Sequence, residues 1–261
     1  MEFTADFLEY RAARYRNREV FLGNHADLFK VIDPLAANFD FLTNMIGSKM
    51  GSDGASHIGL IPFLRLAQRQ LQSAFDAVTS FQVYEAWLLL RPAVESALII
   101  GKWLDDPALA QVWLRRFEDK RSYQQEYQGE RLRSKSLPRS EDIQLVLKRI
   151  NDSFSHPNPN YVRRHSSIAP HEASNVILSF QYFDQAPQVE VGCLAMQHLS
   201  FTLHESLRKA LMIKFEELEK FDVGVKLFLT EFGSRIQTLQ RESAENNETL
   251  VTFGLCPSLV A

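Results

Sequence analysis

Residues 81–104 read FQVYEAWLLLRPAVESALIIGKWL. Apolar side chains fall on nearly every side of a helix drawn through this stretch, which marks a helix enclosed by others in the middle of a bundle. Arg91, Pro92, Glu95 and Lys102 interrupt it, so it makes no clean membrane span. Pro92 implies a kink.

Working outward, residues 58–78 form an amphipathic helix with Ile61, Leu64, Leu71, Phe75 and Val78 on its stripe and Arg65, Gln68, Arg69 and Gln72 outside. After the central stretch, Asp106 caps and Pro107 opens a restart. A long charged helix is expected over residues 108–135, with Val112, Trp113, Phe117, Tyr123 and Tyr127 on its packing side. Ser140 with Glu141 and Asp142 opens the next, whose apolar positions are Ile143, Val146, Leu147, Ile150 and Phe154. It ends at HPNPN, residues 156–160. The β-branched and aromatic residues that follow (Val176, Ile177, Phe180, Tyr182, Phe183) predict a small two-stranded hairpin over about 163–184. Helix resumes over 189–220 and again over 223–241.

At the other end, residues 3–21 and a second helix capped by Asn24, with Pro34 inside its pattern, make an N-terminal pair within residues 1–46. Residues 47–57, from GSKMGSDGASHIG at 47–59, form a flexible linker. This stretch has neither the Gly-Lys pair of a phosphate loop nor the GxSxG of a nucleophile elbow. Residues 58–241 form the bundle with its hairpin, and 242–261 a loose tail. The expected class is therefore mainly all-α: a multi-helix up-and-down bundle carrying one small β-hairpin.

Composition agrees. The 261 residues are 45% hydrophobic, with 11 Gly and 10 Pro, too few for a turn-dense β protein. Two cysteines, Cys193 and Cys256, make no disulfide framework and no CxxC knuckle, and the acidic start MEFTADFLEY has no signal-peptide pattern. A cytoplasmic protein without a membrane segment, cofactor or metal is the expectation. The formal charge is 29 − 32 = −3, unevenly spread: residues 115–165 carry 12 Lys/Arg against 7 Asp/Glu. A basic middle in an acidic chain suits a local anion site such as a phosphate backbone would occupy, or a solvated Arg-rich helix face.

Seven histidines include no HExxH, and His198 and His204 are six apart, about 120° on a helix, which disfavours zinc. Arg91 and Glu95 share a helix face among Leu, Val and Ile neighbours. Deep burial and an ion pair are expected, either holding helix register or presenting one partner to a ligand. Arg149 and His156 are seven apart, within about 20° on a helix and about 10 Å along its axis. Their face lies about 130° from the apolar stripe. A histidine there can exchange a proton with a ribose 2′-hydroxyl or a leaving oxygen while a guanidinium holds the phosphate, or it can simply complement a helix C-terminus.

The run from Arg149 to His156 resembles the Rx4–6H motif of the HEPN superfamily. Leu90-Arg91-Pro92-Ala93-Val94-Glu95, Trp103 to Pro107, and Ser153-Phe154-Ser155-His156-Pro157-Asn158 are similar to a group of bacterial helical proteins near that superfamily. The likeness covers roughly residues 60–185. It implies a metal-independent ribonuclease or RNA-binding module of toxin–antitoxin or antiviral systems, with a cleft at a homodimer interface. Arg149 would contact phosphate and His156 would do acid/base work. Arg91, Glu95, Lys148, Asn151, Arg163 and Arg164 are candidate substrate-binding residues. The motif commonly has a polar residue directly after its Arg; here Ile150 stands there and Asn151 follows. The alternative from another class is a non-catalytic helical module for protein interaction or dimerisation.

Overall fold

The computed structural model describes residues 7–29, 32–48, 59–154, 162, 165–170, 176–180 and 183–214. They are mainly helical. In chain order they form α1 (Phe7–Phe29), α2 (Ile32–Ser48), α3 (Leu60–Thr79), α4 (Val83–Asp105), α5 (Leu109–Leu114), α6 (Lys120–Tyr127), a 3-10 turn (Gly129–Leu132), α7 (Ser140–Ser153) and α8 (Ala186–Lys214). Between α7 and α8, β1 (Ser166–Pro170) and β2 (Val176–Phe180) pair antiparallel, with Ile168 opposite Leu178. The turn that would join these strands and the HPNPN segment before them lie outside the described residues, as do the expected helix over 223–241 and the tail.

Helix α4 is the central element, touching α3, α5, α7 and α8. Leu90, Val94, Leu98 and Ile100 are fully enclosed, as its all-round apolar sequence demands. It runs through Pro92 as one helix. Helix α8 is the second enclosed element, with every residue from Val191 to Ser200 buried. Phe39, Leu42 and Ile46 of α2 join the same core as α3, α4 and α8.

Two close approaches set the spacing around α4. A Cβ at Gly101 would stand 2.7 Å from Leu137 Cβ and 2.8 Å from Ser134 Cβ, so only glycine lets the segment before α7 lie this close. That segment is also tied to the end of α4: the Asp105 carboxylate accepts the Lys135 and Ser136 amides at 2.9 and 2.7 Å. Burial alone would raise the Asp105 pKa, but those bonds and the Ser136 and Ser134 hydroxyls outweigh it and hold it below the usual value.

The connection from α3 to α4 is tight. The amides of Phe81 and Gln82 reach back to the carbonyls of Val78 and Ala77, both at 3.0 Å, closing a Schellman turn. Its left-handed position is held by Phe81 (φ 64°), where glycine is usual. That conformation costs a phenylalanine about 1 kcal/mol. Asp184 clamps the turn from a distance in sequence: its amide donates to the Phe81 carbonyl at 2.8 Å, and its carboxylate accepts the Val83 amide at 2.8 Å, capping α4.

Two sequence expectations are corrected. The charged segment over 108–135 is not one helix but α5, α6 and a 3-10 turn. Asp119 takes the Ser122 amide at 3.0 Å and starts a new helix, and Gly129 (φ 62°) ends it. The broken path lets Tyr127 accept from the Trp103 indole at 2.8 Å and donate to the Leu109 carbonyl at 2.6 Å. At the N-terminus, the second helix expected from Asn24 is not one piece: α1 holds two helices joined at a kink at His25 (φ −131°, ψ 33°), one residue past the expected cap, and α2 runs from Ile32. Pro34 falls in the first turn of α2, where a missing amide costs nothing.

Candidate functional site

Helix α7 turns Ile143, Leu147 and Ile150 into the core and leaves Glu141, Leu145, Lys148 and Asp152 exposed. Arg149 sits at the border, half-buried, with Asn151 likewise half-buried beyond it. The helical arithmetic thus places Arg149 off the apolar stripe, beside an exposed lysine. His156, Arg163 and Arg164 lie outside the described residues.

The end of α7 is firmly anchored. Phe154 stacks on Trp87 (centroids 5.6 Å, 20° between planes) and meets Tyr84 at 5.5 Å. The Tyr84 hydroxyl donates to the Phe154 carbonyl at 2.5 Å, satisfying one of the acceptors that a helix C-terminus leaves open. With the opposite end of α7 reached through Leu137 beside Gly101, α4 and α7 run antiparallel. Residue 149 then falls roughly level with residue 91 at 1.5 Å per residue.

Arg91 and Glu95 do form their ion pair, Nε to Oε1 at 3.0 Å, but deep burial is wrong: the side chains are 43% and 35% exposed. Their apolar neighbours occupy the other faces of α4, and the pair emerges at the margin where water reaches it. An exposed i,i+4 pair of this kind contributes about 0.3–0.5 kcal/mol.

Sequence reasoning missed a second polar assembly. At the α3–α4 turn, His165 Nε2 lies 3.6 Å from Asp184 Oδ1, both side chains under 5% exposed. Glu85, in the first turn of α4, has its pKa raised by burial and by the negative charge of Asp184, against the pull of His165 and Arg14. Beside it, Arg11, Arg14, Tyr15 and Arg18 of α1 face Asp76 and Ser80 at the end of α3 across a cavity of about 140 Å³. One signal was available: 11, 14, 15 and 18 share a helix face within about 100°. Nothing in the sequence brings Asp184 and His165 to that turn.

Among the described residues, no three His, Cys, Asp or Glu are grouped to hold a metal, and no helix is long and apolar enough to cross a membrane. Comparison with family models, curated proteins and solved structures finds no match to this chain.

Proposed function

We propose that this chain is a HEPN-like helical protein that acts on RNA at the C-terminal end of α7, as a metal-independent ribonuclease of a toxin or defence system working in the cytoplasm as a homodimer. The supporting observation is the border position of Arg149, off the buried stripe and next to the exposed Lys148, on a helix end anchored by Phe154. In this reading Arg149 holds the phosphate between two nucleotides. His156 takes the 2′-hydroxyl proton and returns one to the leaving oxygen. Lys148, Asn151, Arg163 and Arg164 track the backbone, and Arg91 with Glu95 borders the same level of α4.

The test is incubation of the full chain with mixed RNA at low salt in EDTA, beside His156→Ala and Arg149→Ala. Cleavage by the wild type that falls at least about 100-fold in His156→Ala is the expected result, the usual scale for a lost acid/base group. Equal behaviour of all three proteins removes the nuclease.

The non-catalytic alternative has its own observation. Leu114, the last residue of α5, and Phe117 beyond it stand 57% and 86% exposed, with the Arg116 guanidinium 4.4 Å from the Phe117 ring centre. Large apolar side chains left in water at a helix end favour an interaction module. Salt-sensitive RNA binding without cleavage would instead mark a degenerate RNA site, because phosphate contacts release counterions whether or not bonds break.

A further inference from the structure

The cavity between α1 and α3 carries an inference independent of the RNA reading, since it shares no residue with α7. Arg11, Arg14, Tyr15 and Arg18 line it from α1, Asp76 and Ser80 from α3. Asp76 is the one carboxylate in that lining, and two guanidiniums draw on it: Arg18 at 2.5 Å and Arg14 at 3.8 Å, the latter too long for a hydrogen bond. Arg11 has no carboxylate partner among the described residues; its guanidinium rests 5.8 Å from the Phe7 ring centre. Ser80 contributes no proton, because its hydroxyl donates to the Asp76 carbonyl at 2.9 Å.

Charge decides what this hollow attracts. Three guanidiniums against one carboxylate leave +2, and the negative end of α3 subtracts about half a charge. Glu85, which Arg14 also influences, does not line the cavity. The surplus stays near +1.5. Size decides further: about 140 Å³ suits a small oxyanion and is well under the several hundred Å³ of sites that enclose larger organic ligands. Arg14 adds the second observation. Its Nε is buried and has no hydrogen-bond partner among the described residues, so no bond at Nε keeps the guanidinium from turning its fork toward the cavity.

We propose that this cavity binds a phosphate-class oxyanion, free or as the terminal monoester of a larger molecule, between the guanidiniums of Arg11, Arg14 and Arg18. Arg14 presents its fork from the wall, and Arg18 exchanges part of its bond with Asp76 for the incoming oxygens. Tyr15 offers a hydroxyl at the rim.

The test is thermal unfolding of the full chain titrated with inorganic phosphate, with AMP, and with chloride at matched ionic strength, since a ligand bound to the folded state raises the midpoint. Phosphate is expected to raise it and chloride is not. AMP binding at least as tightly as phosphate assigns the site to terminal monoesters; phosphate alone assigns it to the free ion. Arg14→Ala should weaken phosphate at least tenfold. Because that variant touches the α1–α3 contact, a second pair guards the result. Asp76→Asn removes the competing carboxylate and should tighten phosphate several-fold, whereas Asp40→Asn, the same charge change at the Arg65 ion pair, should leave it unaltered. Equal responses to phosphate and chloride, wild-type affinity in Arg14→Ala, or equal tightening in the two Asn variants would each overturn the site. None of these outcomes depends on whether RNA is cleaved.

Discussion

His204 and His165 are both buried histidines, 1% and 4% exposed, in opposite kinds of surroundings. His204 lies in the dry middle of α8, edge-on to Phe39 at 5.6 Å, and neither ring nitrogen has a hydrogen-bond partner among the described residues. Burial pushes its pKa down to about 4, so it stays neutral and serves as filler. His165 stands at the α3–α4 turn beside Asp184, with Glu85 and Arg14 close enough to influence one another. The same residue type at the same burial is inert in one region and part of a charged assembly in the other. What separates them is a facing carboxylate: Asp184 stands 3.6 Å from His165, whereas the Glu205 and Arg208 charges pull the His204 pKa in opposite directions and leave burial in control.

The largest expected effect falls on the polar region. Asp184 caps α4, ties Phe81 into its left-handed turn and faces His165. Asp184→Ala keeps the amide that bonds the Phe81 carbonyl but takes the carboxylate from the Val83 amide and from His165, and should cost about 3 kcal/mol in denaturant unfolding, from a lost cap and a broken buried pair together. Asp184→Asn keeps an acceptor for Val83 and should cost less. A loss below about 1 kcal/mol in the alanine variant would mean that the turn holds itself.

The dry region gives the next effect, through pH. A depressed histidine pKa means that acid protonates the unfolded chain before the folded one. The stability it contributes is complete above pH 6.5 and drains away as pH falls toward 4. Each pH unit in that window is about 1.4 kcal/mol. His204→Leu should therefore gain about 2 kcal/mol on the wild type between pH 7 and pH 5, read as the change in their stability difference. Glu205, whose pKa is lowered by Arg208 and Lys209 against its burial, loses its contribution only below its ordinary 4.5, so the two windows separate. A constant difference across the range would show that His204 already finds a proton partner in the fold.

These regions were unequally legible. The α4 stripe, the α7 stripe, the Asp106 carboxylate on the Ala108 amide and the start of α7 at Ser140 follow from period and local chemistry, which a sequence carries on its face. Breaks such as Asp119 and Gly129 override a helical pattern through one hydrogen bond or one positive φ, and a periodicity count passes over them. Arg91 and Glu95 were paired correctly, yet their exposure depends on which neighbour leaves a gap, a property of packing. The assembly at residues 81, 85, 165 and 184 comes from segments a hundred positions apart. Its members look ordinary in sequence, and only tertiary contact makes a cluster of them.

The smallest effect tests whether that cluster is tuned or merely tolerated, and it turns on Glu85. Its place in the first turn of α4 lets the helix dipole favour the ionised form. Burial and the Asp184 charge oppose this and win, since the pKa stands above 4.5. The sign follows directly. The folded chain gives up this proton less readily than the unfolded one, so stability is greatest below pH 4.5 and falls as pH rises through the folded value. At neutral pH the charge is a cost. Glu85→Gln should then raise the unfolding midpoint at pH 7 and converge with the wild type at pH 4. In an Asp184→Ala background the gain should shrink, because one source of the penalty is gone; in Arg14→Ala it should grow, because the compensating cation is lost. A destabilised Glu85→Gln at pH 7 would instead mean that the carboxylate makes a favourable contact worth more than its burial. The raised pKa would then mark a structural ion in the same sense that His204 marks a structural neutral.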